Sequence, residues 1–208
     1  MACGEAKSSR GVFGVVLAGG LARRMGGGDN PLLRLHGRPL LDHVAERLRP
    51  QVQAMALNAN GDLARFAAYG LPVLPDPMPG HPGPLAGVLA GMLWARGIGP
   101  AAAMVLSVPG DTPFLPRDLV AKLLAGGGGG LAYASSAGRA HPTVALWPAE
   151  LADALATAVG QGQRRVRAWA DCQRAAVVDF TDGGRDPFLN VNTPDDLAAA
   201  ERLLVRDL

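Results

Sequence analysis

A chain of 208 residues, 49% hydrophobic, 18% charged and 5% aromatic, has the length and apolar content of one globular domain with a sizeable core, which excludes a disordered protein. Twenty Lys+Arg against eighteen Asp+Glu leave a formal charge of +2, too nearly balanced for a protein that coats nucleic acid or an anionic membrane with its whole surface. The two cysteines, Cys3 and Cys172, form neither a disulfide framework nor a zinc spacing, so a reducing compartment suffices.

The first apolar run, 12–17, reads as a strand buried on both faces. Lys7 and Arg10 precede it as in a signal peptide, but Gly14 interrupts it and Gly19-Gly20 and Arg23-Arg24 follow at once. The expectation is therefore a cytoplasmic protein, with a flexible segment over 1–10 and a single domain over 11–208. Leu40-Leu41-x-x-Val44-Ala45-x-x-Leu48 repeats at the helical period, and 54–57 reads as a strand. Residues 83–106 carry one charge, Arg96, and a Gly83-x-x-x-Gly87-x-x-x-Gly91 spacing that in lipid would suggest helix dimerisation. Pro84, Pro100 and the glycines break that stretch into a helix, a turn and a strand over 102–108, so the glycines read as close packing of a helix on a sheet. A helix over 118–124 follows, then the five-glycine connection 126–130 and strands over 131–134, 143–147 and 175–178. Leu197-x-x-Ala200-x-x-Leu203-Leu204 predicts a further helix. Alternating strands and helices make a mainly parallel sheet covered on both faces, with ligands at the carboxyl ends of the strands.

Polar residues and glycines cluster where those ends fall, at 18–30, 58–62, 109–112 and 190–193. The segment from Leu17-Ala18-Gly19-Gly20 through Arg23-Arg24 to Asp29 reads as a phosphate cradle, because glycines let backbone N–H groups converge on phosphate oxygens and guanidinium groups match their charge. It has neither P-loop nor dinucleotide spacing. It lies in the first fifty residues, which hold eight Lys/Arg against four acids. Asp111, beyond a strand that should be central, suits Mg²⁺, which takes one or two carboxylates and completes its shell with phosphate and water. Asn190 and Asn192, two apart on an extended segment, share a face and could add oxygen ligands or nucleotide contacts. Thr193, Pro194, Asp195 and Asp196 then read as an N-cap, a first helical position and acids favoured by the helix dipole. Asp76, between Pro75 and Pro77, reads equally as a turn former. His141-Pro142 and Arg164-Arg165 could meet a second anionic substrate, or the arginines a solvated face.

In order along 14 to about 204, Leu17-Ala18-Gly19-Gly20 with Arg24-Met25-Gly26-Gly27, Asn58-Ala59-Asn60, Gly83-Pro84-Leu85-Ala86-Gly87, Asp111-Thr112-Pro113, His141-Pro142 and Asn190-Val191-Asn192-Thr193-Pro194 resemble the molybdenum cofactor guanylyltransferase family. The resemblance implies an α/β three-layer nucleotidyltransferase fold, glycosyltransferase-A-like and Rossmann-like, with a mainly parallel mixed sheet. It implies transfer of GMP from Mg–GTP to the terminal phosphate of molybdenum-molybdopterin, giving the guanine dinucleotide cofactor and pyrophosphate. By position, Leu17, Ala18, Gly19, Gly20 and Asn30 would hold the nucleotide, and Asn58 and Asp76 the guanosine. Asp111 would bind Mg²⁺ and GTP with Asn190 and Asn192 near the metal, and Arg24 and Asp111 would be catalytic. His141, Arg164 and Arg165 fall in the half that the family uses for the pterin. The implied partners are GTP, molybdenum-molybdopterin and the molybdoenzymes or molybdenum-insertion proteins that receive the product; nucleic acid and membrane are not expected, and the charge balance allows a soluble monomer.

One departure concerns charge: the family has Asp-Lys where this chain has Asp29-Asn30. Losing a charged hydrogen bond to a triphosphate costs roughly 1.5–3 kcal/mol, which Arg23, Arg24, Arg34 or Arg38 would have to offset. Two further readings stay open: a cytidylyl- or sugar-phosphate nucleotidyltransferase, and a poorly catalytic GTP-binding protein that hands over cofactor.

Overall fold

The computed structural model describes residues 11–19, 30–78, 80, 83–181 and 186–205. The expectations for Gly20, Arg24 and the segment 1–10 fall outside them. Seven strands form one sheet: β1 (Val12–Leu17), β4 (Ala54–Asn58), β5 (Val73–Leu74), β6 (Met104–Pro109), β7 (Ala132–Ser136), β8 (Arg139–Pro148) and β9 (Ala176–Asp179), in the order β5-β4-β1-β6-β8-β7-β9. A two-stranded hairpin of β2 (Arg34–Leu35) and β3 (Arg38–Pro39) stands apart. Among the described residues there are six α-helices, α1 (Leu40–Leu48), α2 (Pro84–Ile98), α3 (Leu119–Gly126), α4 (Ala152–Gly160), α5 (Val166–Cys172) and α6 (Pro194–Val205), besides short 3₁₀ turns.

β1 pairs in parallel with β4 on one side and β6 on the other, from Phe13↔Ala54 to Leu17↔Asn58 and from Val12↔Met104 to Leu17↔Pro109. The chain moves outward through β4 and β5, then crosses back to β6, so the order reverses beside β1 and opens a crevice at the carboxyl edge. β8 alone runs antiparallel, which brings its first residues, not its last, to that edge.

Side chains alternate across the sheet with period two. Val12, Val16, Leu106 and Val108 face the layer of α1 and α3, while Phe13, Val15, Val105 and Trp147 face α2, α4 and α5. Both faces are therefore covered, which explains the near-continuous apolar runs of the central strands. The buried Ser107 hydroxyl interrupts β6 but is satisfied, donating to Thr143 O at 2.8 Å and accepting from Trp147 Nε1 at 2.8 Å.

The α2 glycines serve close approach, as the spacing predicted. A Cβ on Gly91 would lie 2.8 Å from Val15 Cγ1, and one on Gly87 would lie 2.7 Å from Leu17 Cδ2. Gly83, at φ 83° as N-cap, turns the chain into Pro84 at the first helical position. No described helix is long and apolar enough to cross a membrane.

Some boundaries differ from the sequence reading. β6 starts at Met104, not 102, because Ala103 N bonds back to Pro100 O at 2.9 Å and closes a turn. β8 begins four residues before the apolar run, since Arg139 and Ala140 pair with Ser136 and Ser135 across a short turn. The periodicity analysis did not identify α4, α5, β5 or the β2–β3 hairpin.

Candidate functional site

The carboxyl edge is drawn together by backbone bonds, Ala18 N to Asn58 O at 2.8 Å and Gly110 N to Leu17 O at 3.0 Å. A Cβ on Gly110 would meet Pro31 Cγ at 2.8 Å, so the glycine lets the 3₁₀ turn Asn30–Leu32 lie directly on the end of β6. That contact brings Asn30 to Asp111.

Asn30 is 8% exposed, and its Nδ2 donates to Asn192 Oδ1 at 3.0 Å and, at a long 3.5 Å, to Asp111 Oδ2. Thr112 Oγ1 donates to Asn190 Oδ1 at 3.0 Å, and Val191 N donates to Asp111 O at 2.9 Å. Residues 190–192 are thereby strapped across the end of β6. Asp111 Oδ1 and Asn30 Oδ1 are both buried with no hydrogen-bond partner among the described residues. Burial pushes the Asp111 carboxyl above the usual carboxylate range, against the opposing pull of Asn30. Orphaned buried oxygens are costly unless a cation or a donor reaches them.

The donor set, one carboxylate among amide oxygens, suits a hard oxygen-seeking cation such as Mg²⁺ and not a nitrogen- or sulfur-seeking one. Among the described residues no group of three or more His, Cys, Asp or Glu could hold a metal, so a cation here would need further oxygens from a ligand such as phosphate. Asn190 Oδ1 and Asn192 Oδ1 each already accept one bond, from Thr112 and from Asn30, and each keeps a second lone pair.

Beyond β4 a second polar group forms. Asn58 Nδ2 donates to Leu74 O at 3.0 Å and to Asp76 Oδ1 at 2.9 Å; Asn60 Nδ2 donates to Asp76 Oδ2 at 2.8 Å, and Asp76 N returns a bond to Asn60 Oδ1 at 2.9 Å. Asp76 is thus more than a turn former: two amide bonds fix its carboxylate and a third, from its backbone N–H to Asn60, completes three bonds at the crevice. Asn60, which sequence reasoning quoted in a motif but gave no role, supplies two of them. Its spacing of two from Asn58 was the available signal.

Residues 14–177 match the family model described as MobA-like NTP transferase domain. A protein of Bradyrhizobium sp. (strain ORS 278) named molybdenum cofactor guanylyltransferase is 53% identical over 196 residues, spanning 92% of each chain. A protein of the same name from Mesorhizobium japonicum is 50% identical over 94% of this chain and 97% of its own. The chain belongs to the molybdenum cofactor guanylyltransferase family. Among solved structures, molybdopterin-guanine dinucleotide biosynthesis protein A of Archaeoglobus fulgidus is 25% identical with a TM-score of 0.72, covering 93% of this chain and 99% of that one. A 4-diphosphocytidyl-2C-methyl-D-erythritol synthase, 14% identical with a TM-score of 0.66 over 94% and 98% of the chains, shares the fold.

The remaining residues expected from the family resemblance lie in two places. His141, 7% exposed on β8, packs its ring 4.9 Å from that of Phe188. Its Nε2 lies 2.8 Å from Ser136 Oγ and 3.9 Å from Asp186 Oδ1. Burial holds its pKa below the ordinary histidine value, Arg139 acting the same way and Asp186 opposing. Only Leu189 separates Phe188 from the Asn190–Asn192 strap, so one segment joins this group to Asp111. Arg164 and Arg165 stand apart from both groups in their bonding: Arg164 donates to Val159 O at 2.8 Å and Gln163 O at 2.9 Å, capping the end of α4, while Arg165 N-caps α5.

Proposed function

We propose that the protein transfers GMP from GTP to molybdenum-molybdopterin, forming the guanine dinucleotide cofactor and pyrophosphate. The observation that carries this reading is the pair of orphaned oxygens on Asp111 and Asn30, set in an all-oxygen group at the crevice beside β1 and β6. Asp111, with Asn190 and Asn192 beside it, would hold Mg²⁺, and Asn30 would contact the nucleotide, its own unpartnered oxygen lying in the same group. Bound there, Mg²⁺ would supply charge neutralisation to the triphosphate.

Leu17, Ala18, Gly19 and Gly20 would admit the phosphates; at Gly19 even an added Cβ would find its nearest neighbour at 3.8 Å, leaving open room. Arg24 would add a guanidinium to the transferring phosphoryl group. Asn58 and Asp76 would hold the guanosine, the clamped carboxylate being a ready acceptor for guanine's N–H edge. His141, Arg164 and Arg165 would serve the pterin substrate. A terminal phosphate oxygen of molybdopterin forms the new bond to the α-phosphorus and the bond to pyrophosphate breaks, so the side chains contribute alignment and charge neutralisation and no covalent nucleophile is needed. The same reading makes the chain a cytoplasmic monomer of one domain over 11–208, passing its product to molybdoenzymes or insertion proteins.

Pyrophosphate release, measured with molybdopterin and GTP, CTP or ATP with and without Mg²⁺, tests this. GTP should be preferred, and Asp111→Ala should cost about a hundredfold or more in rate while the circular dichroism spectrum stays unchanged. A preference for CTP, or full activity in folded Asp111→Ala, would overturn it.

A further inference from the structure

Ser136, His141 and Asp186 come together from β7, β8 and the segment after β9. Ser136 is 3% exposed, and its Oγ lies 2.8 Å from His141 Nε2 and 2.7 Å from Asp186 Oδ1. The same carboxylate oxygen accepts from Phe188 N at 2.9 Å. These residue types suggest a nucleophile triad, but the connectivity excludes one. In such a triad the acid bonds the ring nitrogen opposite the serine; here Asp186 bonds the serine itself and approaches the same Nε2, at 3.9 Å.

Proton counting then settles the direction of each bond. An ionised carboxylate only accepts, and the serine hydroxyl carries a single hydrogen. That hydrogen therefore lies between Ser136 and Asp186. The serine oxygen is left as an acceptor toward the ring, so Nε2 must carry the imidazole proton. In the neutral ring Nδ1 is then a bare acceptor, and among the described residues it bonds to nothing.

We infer that Ser136 and Asp186 are positioning residues that fix His141 in its Nε2–H tautomer and thereby present Nδ1 as a hydrogen-bond acceptor to an N–H group of the second, heterocyclic substrate. This deepens the reading that His141 serves the acceptor half of the site and rests on it. Phe188 packs tilted against the imidazole at 4.9 Å, Phe180 packs edge-on to Phe188 at 5.3 Å, and Arg139 and Asp186 are the charged groups that face the ring. The segment that carries Asp186 continues into the Asn190–Asn192 strap, so the acceptor's orientation and the Asp111 group are set by one stretch of chain.

The chemistry makes a specific and invertible prediction. In Asp186→Ala the serine hydrogen loses its acceptor and turns to His141 Nε2, which drives the ring proton to Nδ1. The acceptor becomes a donor. Nitrogen NMR at neutral pH reads this directly in the intact protein, with His141→Gln assigning one resonance pair among the four histidines of the chain. The native protein should show Nε2 protonated and Nδ1 bare, and Asp186→Ala should invert them; Ser136→Ala should give a mixture. Asp186 is only partly buried, at 33% side-chain exposure, so its replacement leaves a folded protein to measure. In turnover assays Asp186→Ala should raise KM for molybdopterin about five- to tenfold, the loss of one hydrogen bond, with the GTP dissociation constant unchanged. A native ring protonated on Nδ1, or a tautomer indifferent to both substitutions, would overturn the positioning role. Inversion of the tautomer with KM unmoved would remove the acceptor substrate from His141 while leaving GTP recognition standing.

Discussion

Gly87 is a sharp test of how the fold positions the proposed nucleotide site. In Gly87→Ala the new Cβ would sit 2.7 Å from Leu17 Cδ2, 2.7 Å from Asn58 Cγ and, closer still, 2.2 Å from Asn58 Oδ1. Asn58 is 5% exposed and pinned by its bonds to Leu74 and Asp76, so it has no free rotamer into which to retreat. Overpacking of this kind costs about 1–3 kcal/mol, whereas replacing a mid-helix glycine by alanine returns about 0.5–1 kcal/mol. The balance is a net loss of about 1–2 kcal/mol, a fall in Tm of roughly 2–8 °C for a domain of this size. Gly97 provides the control within the same helix: it is exposed, and an added Cβ meets nothing within 4 Å. Gly97→Ala should therefore raise Tm by roughly 1–4 °C. Thermal melts followed by circular dichroism compare the three proteins. A Gly87→Ala protein that melts at or above the native temperature would refute the close-approach argument.

Asn60→Ala should weaken GTP binding about tenfold by calorimetry, through the release of one Asp76 carboxylate oxygen, while ATP affinity stays where it was; equal loss for both nucleotides would refute the base-reading role. His43 is buried and its Nε2 faces Leu35 O at 3.2 Å, with burial lowering its pKa first and Arg38 adding to the effect. A folded pKa below the unfolded 6.5 means that the unfolded state takes up the proton first, so stability is full above that value and falls as the pH drops through it. Urea denaturation at pH 7.5 and 5.5 should show that decline, and His43→Gln should flatten part of it; an unchanged slope would dismiss His43 as a source. Asp196→Ala should lower Tm by roughly 2–4 °C, because Asp196 Oδ2 accepts from Asn192 N at 3.0 Å and Thr193 N at 2.9 Å while Thr193 Oγ1 accepts from Asp196 N at 3.2 Å.

The strands and helices that carry the edge were legible because their signals are local. Buried parallel strands leave unbroken apolar runs, and Thr193-Pro194 marks a helix start whose reciprocal bonds with Asp196 are those of a capping box. Asp111 and Asn192 were legible by the rule that strand ends hold ligands, and the structure brings them together with Asn30. What remained hidden depends on contacts between distant positions. Ser136 and Asp186 lie fifty residues apart and carry no common pattern, so their convergence on His141 follows only from the β7–β8 pairing and the segment packed against it. The role of Asn60 also depends on a distant partner, because its amide meets the Asp76 carboxylate sixteen residues further on. The helix α4 was obscured by its alanines: they pack well but give a weak apolar stripe, with only Ala152, Leu155 and Val159 buried.

The strap over 190–192 also sets a timetable. It follows β9 in the chain, so during synthesis every strand of the sheet has been made before Asn190 and Asn192 appear, whereas Asn30 is among the earliest residues to emerge. The nascent sheet can form while Asp111 still lacks two of its amide neighbours. The arrangement that would engage a cation is thus completed late, as a closing step in maturation and not as a seed for it.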